Sequence, residues 1–226
     1  MKPSNAVRGS LASIMRNDDG LYAGNLVPYF QAVFNNAQNL NHPYHNFRHM
    51  FHVVWLCYQA CIFYKKELSP RQMRNLLLAA MFHDFDHSGM TGGDDLNVLR
   101  ALRGLEKYIQ TEDRAHLTDI SQLIRATEYP HIVHSRSPGL SSQIIRDADL
   151  SQGFSVAWIQ QVIFGLAGEW NQKPIDVLQK QLEFLEKLEY HTTWAQQFFS
   201  LEDVESKKAE IHELLDLLQL NSAVAA

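Results

Sequence analysis

Two histidine-rich clusters and one later aspartate are the residues of this chain best suited to chemistry. Residues 44–49 read Tyr-His-Asn-Phe-Arg-His, and residues 82–89 read Phe-His-Asp-Phe-Asp-His-Ser-Gly. With Asp149, the residues His49, His83 and Asp84 offer two imidazoles and two carboxylates. Such a mixed nitrogen and oxygen donor set suits a divalent metal that keeps positions open for water and substrate. The pattern predicts metal-assisted hydrolysis, with a phosphate ester as the favoured substrate.

The second cluster follows directly on an apolar helical stretch over residues 76–82. A core helix that ends in ionisable residues can deliver ligands to a buried site. A solvated helix end would explain Asp86 or His87 singly, but it explains the whole string poorly. In the first cluster His45, His49 and His52 stand at i, i+4 and i+7, which predicts one shared helix face. His52 by itself is better explained as a core or supporting residue.

Asp149 lies among apolar neighbours, which predicts a partly buried carboxylate. A buried carboxylate needs a metal or a cation partner. Arg146 can pair with Asp147, and this would leave Asp149 free for a metal.

The elements that must position these residues are helices throughout. Apolar residues recur at helical spacing, no alternating strand pattern persists, and Ser69-Pro70 is a typical helix start. We expect an all-α fold in which residues 1–226 form a single compact domain. The predicted helices are Leu26–Ala37, His45–Glu67, Ser69–Phe82, Asp94–Leu105, Asp113–Thr127, Leu140–Asp147, Phe154–Leu166, Pro174–Tyr190 and about Val204–Leu220, the last packing internally through Ile211, Leu214, Leu215 and Leu218.

The composition limits the classes of protein to which this chain can belong. The 226 residues include 46% hydrophobic and 20% charged residues with a net charge of −5, and no basic stripe for nucleic acid is visible. The two cysteines, Cys57 and Cys61, are best explained as buried apolar residues. Neither a signal peptide nor a membrane-spanning stretch is evident, so we expect a cytoplasmic protein without membrane contact.

The motifs resemble those of HD-domain metal-dependent phosphohydrolases, and most closely the class I 3',5'-cyclic nucleotide phosphodiesterases. Residues 44–49, 83–89 and 148–151 carry the likeness, with Ser88 where the family has proline. The resemblance continues to Gln181, Phe184 and Trp194, which gives a motif-bearing core of about 44–194. The stretch between Asp84 and Asp149 is shorter than in eukaryotic members and lacks an obvious Glu-Asn-His-His segment. His131 and His134 in this interval are either site residues or surface histidines.

The resemblance implies two divalent metal ions. It places Zn²⁺ (or Fe, Mn or Ni) on His49, His83, Asp84 and Asp149, and Mg²⁺ or Mn²⁺ beside Asp84. It implies hydrolysis of a cyclic nucleotide to the nucleoside 5'-monophosphate by a metal-bridging hydroxide. His45 is then the general acid and His87 a supporting catalytic residue, while Asp86 orients a ligand at most. The expected substrate contacts are Tyr44, Gln152, Gln181 and Phe184.

Two other functions fit part of the pattern. A nucleotidase or phosphomonoesterase of the HD superfamily would share the four metal ligands, but it does not require His45 or the Gln181 and Phe184 pair. A non-catalytic, metal-stabilised regulatory module would need no general acid. The expected partner is therefore a small-molecule nucleotide or phosphate ester, with no nucleic acid, and the sequence leaves the oligomeric state open.

Overall fold

The computed structural model describes residues 9–90, 93–130 and 139–224, and for residues 219–224 the backbone alone. The described residues form helices and no strand, which confirms the all-α prediction. Among them, no helix combines the length and apolar character needed to cross a membrane. His131 and His134 lie outside the described residues. The prediction of a single domain stays a prediction.

The α-helices are α1 (Leu11–Arg16), α2 (Val27–Asn36), α3 (Phe47–Phe63), α4 (Pro70–Phe82), α5 (Asp95–Tyr108), α6 (Leu117–Arg125), α7 (Leu140–Asp149), α8 (Gly165–Trp170), α9 (Pro174–Lys187), α10 (Thr193–Phe198) and α11 (Leu201–Val224). Short 3-10 helices span Thr111–His116 and Gln152–Phe154, and a π-helix spans Ile159–Phe164.

Helix α4 forms the centre of the main hydrophobic core. Each of its residues from Met73 to Phe82 is buried, and it packs against α3, α6 and α7. Its start is held by a capping box in which Ser69 and Gln72 satisfy each other's backbone amides. This helix therefore carries His83 and Asp84 into the interior at its carboxyl end.

A second, smaller core forms between the π-helix, α8, α9 and α11. Ile211 and Leu215 of α11 are buried in it, whereas Leu218 is largely exposed. The internal packing predicted for the C-terminal helix is therefore present at Ile211, Leu214 and Leu215. The candidate site lies between the two cores, because its walls come from both.

Several helix boundaries were predicted wrongly. Helix α3 begins at Phe47 with Asn46 as its N-cap, because the Asn46 side chain accepts the amides of Arg48 and His49. His45 therefore lies before the helix, and it does not share a helical face with His49 and His52.

The region predicted as one helix over Phe154–Leu166 is a 3-10 turn, a π-helix and the start of α8. The region Asp113–Thr127 begins as a 3-10 turn, and α9 ends at Lys187 rather than Tyr190. Periodicity finds the apolar face of a segment, but it does not specify how many residues each turn contains.

Candidate metal centre and cavity

Four donor atoms meet where the ends of α4 and α7 approach the first turn of α3. His49 Nε2 lies 3.0 Å from Asp149 Oδ1, 3.4 Å from His83 Nε2 and 3.3 Å from Asp84 Oδ2. His83 Nε2 lies 3.3 Å from Asp84 Oδ2 and 3.4 Å from Asp149 Oδ1. The structure thus brings the four predicted ligands together.

These separations fit a metal ion. Ligand bonds of about 2.0–2.1 Å place neighbouring donor atoms roughly 3.0–3.4 Å apart in octahedral or tetrahedral coordination. Oδ2 of Asp84 is buried and accepts no hydrogen bond. A buried carboxylate oxygen without a donor is costly unless a cation binds it. The donor set, its spacing and this orphaned oxygen all fit a divalent cation.

A local hydrogen bond orients the imidazole of His83. His83 Nδ1 lies 2.8 Å from the carbonyl oxygen of Ala80, so it donates its proton there and leaves the Nε2 lone pair for the site. Burial disfavours the charged form of His83, but the interactions with Asp84 and Asp149 together have the larger effect. The pKa of His83 is therefore raised. Burial alone would raise the pKa values of the two carboxyls, yet the neighbouring histidines hold both pKa values below the usual range.

His45 lies beside this centre and is held by a glutamate that the sequence did not reveal. Its Nδ1 lies 2.6 Å from Glu169 Oε2, while Glu169 Oε1 accepts the backbone amides of His45 and Tyr44 at 2.8 and 3.0 Å. Burial lowers the pKa of His45, but the hydrogen bond to Glu169 and nearby carboxylates reverse this, so the net pKa is raised. The pair favours an imidazolium.

Close packing brings Glu169 to this position. Gly165 and Gly168 of α8 face Pro43, and a Cβ on Gly165 would lie 2.8 Å from the Pro43 carbonyl oxygen. No local pattern marks Glu169, since it is a single glutamate far along the chain from His45. Only the contact between α8 and the segment before α3 identifies it.

His87 stacks on His45, with ring centroids 3.6 Å apart. Burial lowers the pKa of His87 to about 4, so its ring is neutral at neutral pH. Its Nδ1 accepts the amide of Gly89 at 3.0 Å, which places the remaining proton on Nε2. His87 can therefore donate a hydrogen bond into the cavity, but it is not suited to supply a proton to a leaving group.

A cavity of about 520 Å³ extends from the four donors towards α9. Tyr44, Gln181 and Phe184 line it, as predicted for substrate contacts. Gln181 is buried, and the absence of a side chain on Gly153 leaves room for its amide, because a Cβ there would lie 3.0 Å from Gln181 Nε2. Further lining residues that the sequence analysis did not single out are Asp94, Asn97, Thr127, Val162, Trp170 and Lys180.

Two predicted roles are not supported by position. Gln152 is absent from the described cavity wall, and its amide nitrogen is instead hydrogen-bonded to Gln161, because the 3-10 turn directs it towards the π-helix. Asp86 accepts the backbone amide of Gln38 at 2.8 Å and braces a loop, and it does not line the cavity either.

The suggested pair of Arg146 with Asp147 is also replaced by other contacts. Arg146 Nε donates to the carbonyl oxygen of Ala126, and Asp147 accepts the amides of His191 and Thr192. The buried Asp147 therefore fixes the segment before α10. Asp149 is two residues further along α7 and faces the metal donors instead.

Comparison with known proteins agrees with this geometry. The family model described as 3'5'-cyclic nucleotide phosphodiesterase matches residues 44–151, just under half of the chain. No curated protein matches the chain. Enzymes of this family are phosphodiesterases, hydrolases that are generally metal-dependent. His49, His83, Asp84 and Asp149 all lie within the residues that match this family model.

Proposed function

We propose that this protein is a metal-dependent phosphodiesterase that hydrolyses a 3',5'-cyclic nucleotide to the nucleoside 5'-monophosphate. The observation that carries the proposal is the position of the His45–Glu169 pair beside four metal-spaced donors in one cavity. A metal centre without such a pair would equally suit a phosphomonoesterase. A regulatory metal site would need no buried imidazolium at all.

His49, His83, Asp84 and Asp149 would hold the first ion, for which zinc or a similar transition ion suits the two imidazoles. The second, Mg²⁺ or Mn²⁺, would be bound beside Asp84, since these ions prefer carboxylate and water oxygens. When bound, such ions supply Lewis acidity towards the phosphoryl oxygens and lower the pKa of water in the site.

The remaining chemistry belongs to side chains. In the hydrolysis, the oxygen of water ends on phosphorus, and the bond from phosphorus to the 3' oxygen breaks. His45 supplies the proton that this departing oxygen needs, and Glu169 holds its ring through Nδ1 so that Nε2 is free to donate. His87 offers its Nε2–H to a phosphate oxygen or to water.

Gln181 and Phe184 would bind the base. A glutamine amide offers both a donor and an acceptor to a purine edge, and a phenyl ring can stack on the base. Both residues line the same cavity as the metal donors, at the wall formed by α9. Tyr44, the residue before His45, also lines the cavity.

The test is a substrate panel assayed with metal-depleted protein and after addition of Zn²⁺ and then Mg²⁺ or Mn²⁺. The panel contains cyclic AMP, cyclic GMP, the corresponding 5'- and 3'-monophosphates, and bis-p-nitrophenyl phosphate. We expect metal-restored conversion of a cyclic nucleotide to its 5'-monophosphate and little release of inorganic phosphate from monoesters.

An Asp149→Asn variant is the matched control, because it removes one ligand charge with little change of shape. Activity on monoesters alone would favour the nucleotidase alternative. Binding of metal without turnover of any compound would favour a regulatory module.

A further inference from the structure

A buried asparagine outside both histidine clusters binds the backbone of each cluster. Asn39 lies in the segment between α2 and α3 and is fully buried. Its Nδ2 donates to the carbonyl oxygen of His45 at 2.7 Å and to the carbonyl oxygen of Asp84 at 2.8 Å. Its Oδ1 accepts the backbone amide of Asp86 at 3.0 Å. One side chain thus links the residue proposed as acid to a residue of the metal centre.

The backbone groups that Asn39 binds lie just outside the helices. His45 precedes α3, while Asp84 and Asp86 follow the end of α4. Backbone groups at helix ends lack helical partners, and burial makes an unpaired group costly. The carbonyl oxygen of Asp84 also accepts the amide of His87 at 3.0 Å, so the same turn carries His87. Asp86 has a φ of 60°, which a residue other than glycine rarely adopts, and its hydrogen bond to Asn39 supports this turn.

His45 is therefore held from two sides by side chains of other segments. Glu169 accepts its amide at 2.8 Å and binds its ring through Nδ1, whereas Asn39 binds its carbonyl oxygen. Glu169 orients the ring, and Asn39 ties the backbone of His45 to that of Asp84. Because His45 and Asp84 belong to different elements, their relative position depends on such a link.

The chemistry of the site makes this relative position important. A proton donor must reach the departing oxygen while the phosphoryl group lies at the metal donors. A displacement of about 1 Å in a site can lower the rate by roughly 10²-fold. The amide of Asn39 fits in one orientation only, since Nδ2 faces two carbonyl oxygens and Oδ1 faces an amide. An apolar side chain of the same size could make none of these bonds.

We propose that Asn39 is a positioning residue that fixes the place of His45 relative to Asp84. The inference rests on the proposed function for the roles of His45 and Asp84. It adds a residue that belongs to neither histidine cluster and does not line the described cavity. Asn39 acts through the backbone of both residues.

The experiment measures kcat, KM and metal content of Asn39→Ala with a cyclic nucleotide and with bis-p-nitrophenyl phosphate. We expect kcat on the cyclic nucleotide to fall by up to about 10²-fold, with little change in KM and with the tightly bound transition ion retained. The loss on bis-p-nitrophenyl phosphate should be much smaller, because p-nitrophenolate leaves without prior protonation. A residue that supported only the fold would lower both rates together.

Two further variants separate positioning from packing. Asn39→Leu fills the space with a side chain of similar size but cannot form the hydrogen bonds, so we expect the same selective loss. Wild-type kinetics in Asn39→Leu would overturn the proposal, since the volume alone would then be sufficient. In a His45→Ala background, Asn39→Ala should add little further loss on the cyclic nucleotide, because the group that it positions is gone. Independent, multiplicative losses would also overturn the proposal.

Asn36→Ala is the matched control and should behave as wild type, since Asn36 is exposed and donates within its own helix to the carbonyl oxygen of Ala32. Equal losses on the two substrates in Asn39→Ala, or loss of the bound ion, would refute the inference. Failure of both Asn39→Ala and Asn39→Leu to fold would also refute it, because Asn39 would then be needed for the fold. A wild-type protein without turnover of any cyclic nucleotide would refute the proposed function and this inference with it, whereas the other outcomes refute the inference alone.

Discussion

The two nitrogens of the His45 ring have separate tasks. Nδ1 is engaged by Glu169, so the ring is oriented and its charged form is favoured, while Nε2 is the nitrogen that the proposed function assigns to the substrate. The ring stacked on it, His87, is kept neutral by burial. The pKa values of the two adjacent imidazoles are thus shifted in opposite directions, which suits His45 rather than His87 to the proposed role of acid.

We expect His45→Ala to retain the tightly bound metal and to lose about 10²–10⁴-fold in kcat on a cyclic nucleotide. The loss should be much smaller for bis-p-nitrophenyl phosphate, because p-nitrophenolate leaves without prior protonation. The rates on the two substrates are the measurement. An equal loss on both would show that His45 is not the acid.

The orphaned oxygen of Asp84 leads to a prediction about metal content. Wild-type protein should retain about one tightly bound transition ion, and Asp84→Ala should retain much less, since one of the four donors is missing. Elemental analysis of the two dialysed proteins measures this. Asp86→Ala is a suitable control, because Asp86 braces a loop outside the cavity. Equal metal content in wild type and Asp84→Ala would refute the assignment.

At the scale of elements, helix α8 connects His45 to the second core. Its glycines allow it to approach Pro43, and Glu169 at its end then reaches His45. The π-helix that precedes α8 also supplies Val162 to the cavity wall. Unusual helical geometry is frequent at functional sites because it changes which residues face a neighbour.

Replacement of Glu169 should change the pH dependence of activity. The carboxylate raises the pKa of His45, and activity requires the imidazolium, so activity falls as the pH rises through that pKa. Glu169→Gln removes the charge, lowers the pKa of His45 and should move this alkaline limb to lower pH. The measurement is kcat/KM against pH, with the exposed Glu183→Gln as control. An unchanged limb would mean that Glu169 does not set this pKa.

Helix α9 presents Gln181 and Phe184 to the cavity, three residues apart and therefore on one side. We expect Gln181→Ala to raise KM for a cyclic purine nucleotide and to leave bis-p-nitrophenyl phosphate, which has no base, nearly unaffected. Steady-state kinetics on the two substrates separate the effects. If the kinetics on the two substrates change equally, Gln181 supports the fold and does not bind the base.

At the scale of the molecule, a buried ion pair ties the main core together. Asp113 is fully buried and accepts from Arg74 Nε at 2.8 Å, Arg74 Nη2 at 2.6 Å and the Tyr29 hydroxyl at 2.6 Å. Arg74 also donates to the carbonyl oxygens of Ala23 and Asn25. None of these residues lines the described cavity, so the network contributes to stability rather than chemistry.

We expect Asp113→Ala to lower the free energy of unfolding by about 3–5 kcal/mol, because Arg74 would stay buried without its partner. Metal content should be unchanged. Burial alone would raise the pKa of Asp113, but Arg74 and Tyr29 lower it to about 2. The stabilisation is therefore complete above the unfolded pKa of about 3.9 and is lost as the pH falls towards 2.

Urea unfolding of both proteins at several pH values measures this difference. Glu106→Ala is the control, since Glu106 is exposed and takes no part in the ion pairs of Arg74. A difference between wild type and Asp113→Ala that persists at the lowest pH would contradict the assignment.

The sequence by itself determined the helical class and singled out the four donor residues that the structure brings together, His49, His83, Asp84 and Asp149. Helical spacing of apolar residues is a local property, and adjacent ligands such as His83-Asp84 are visible without a fold. The start of α4 at Ser69-Pro70 and the position of Asp84 at its end follow from the same local signals.

Only the tertiary structure decided which distant residues complete the site. Glu169 reaches His45 through the contact of α8 with Pro43, and Asp94 lines the cavity and accepts the Tyr129 amide. Such contacts leave no local pattern. Gln152 follows the Asp149 motif in sequence, yet its turn directs it to Gln161. Spacing along the chain fixes residue types, whereas the direction of a side chain depends on backbone geometry and packing that are set across the whole fold.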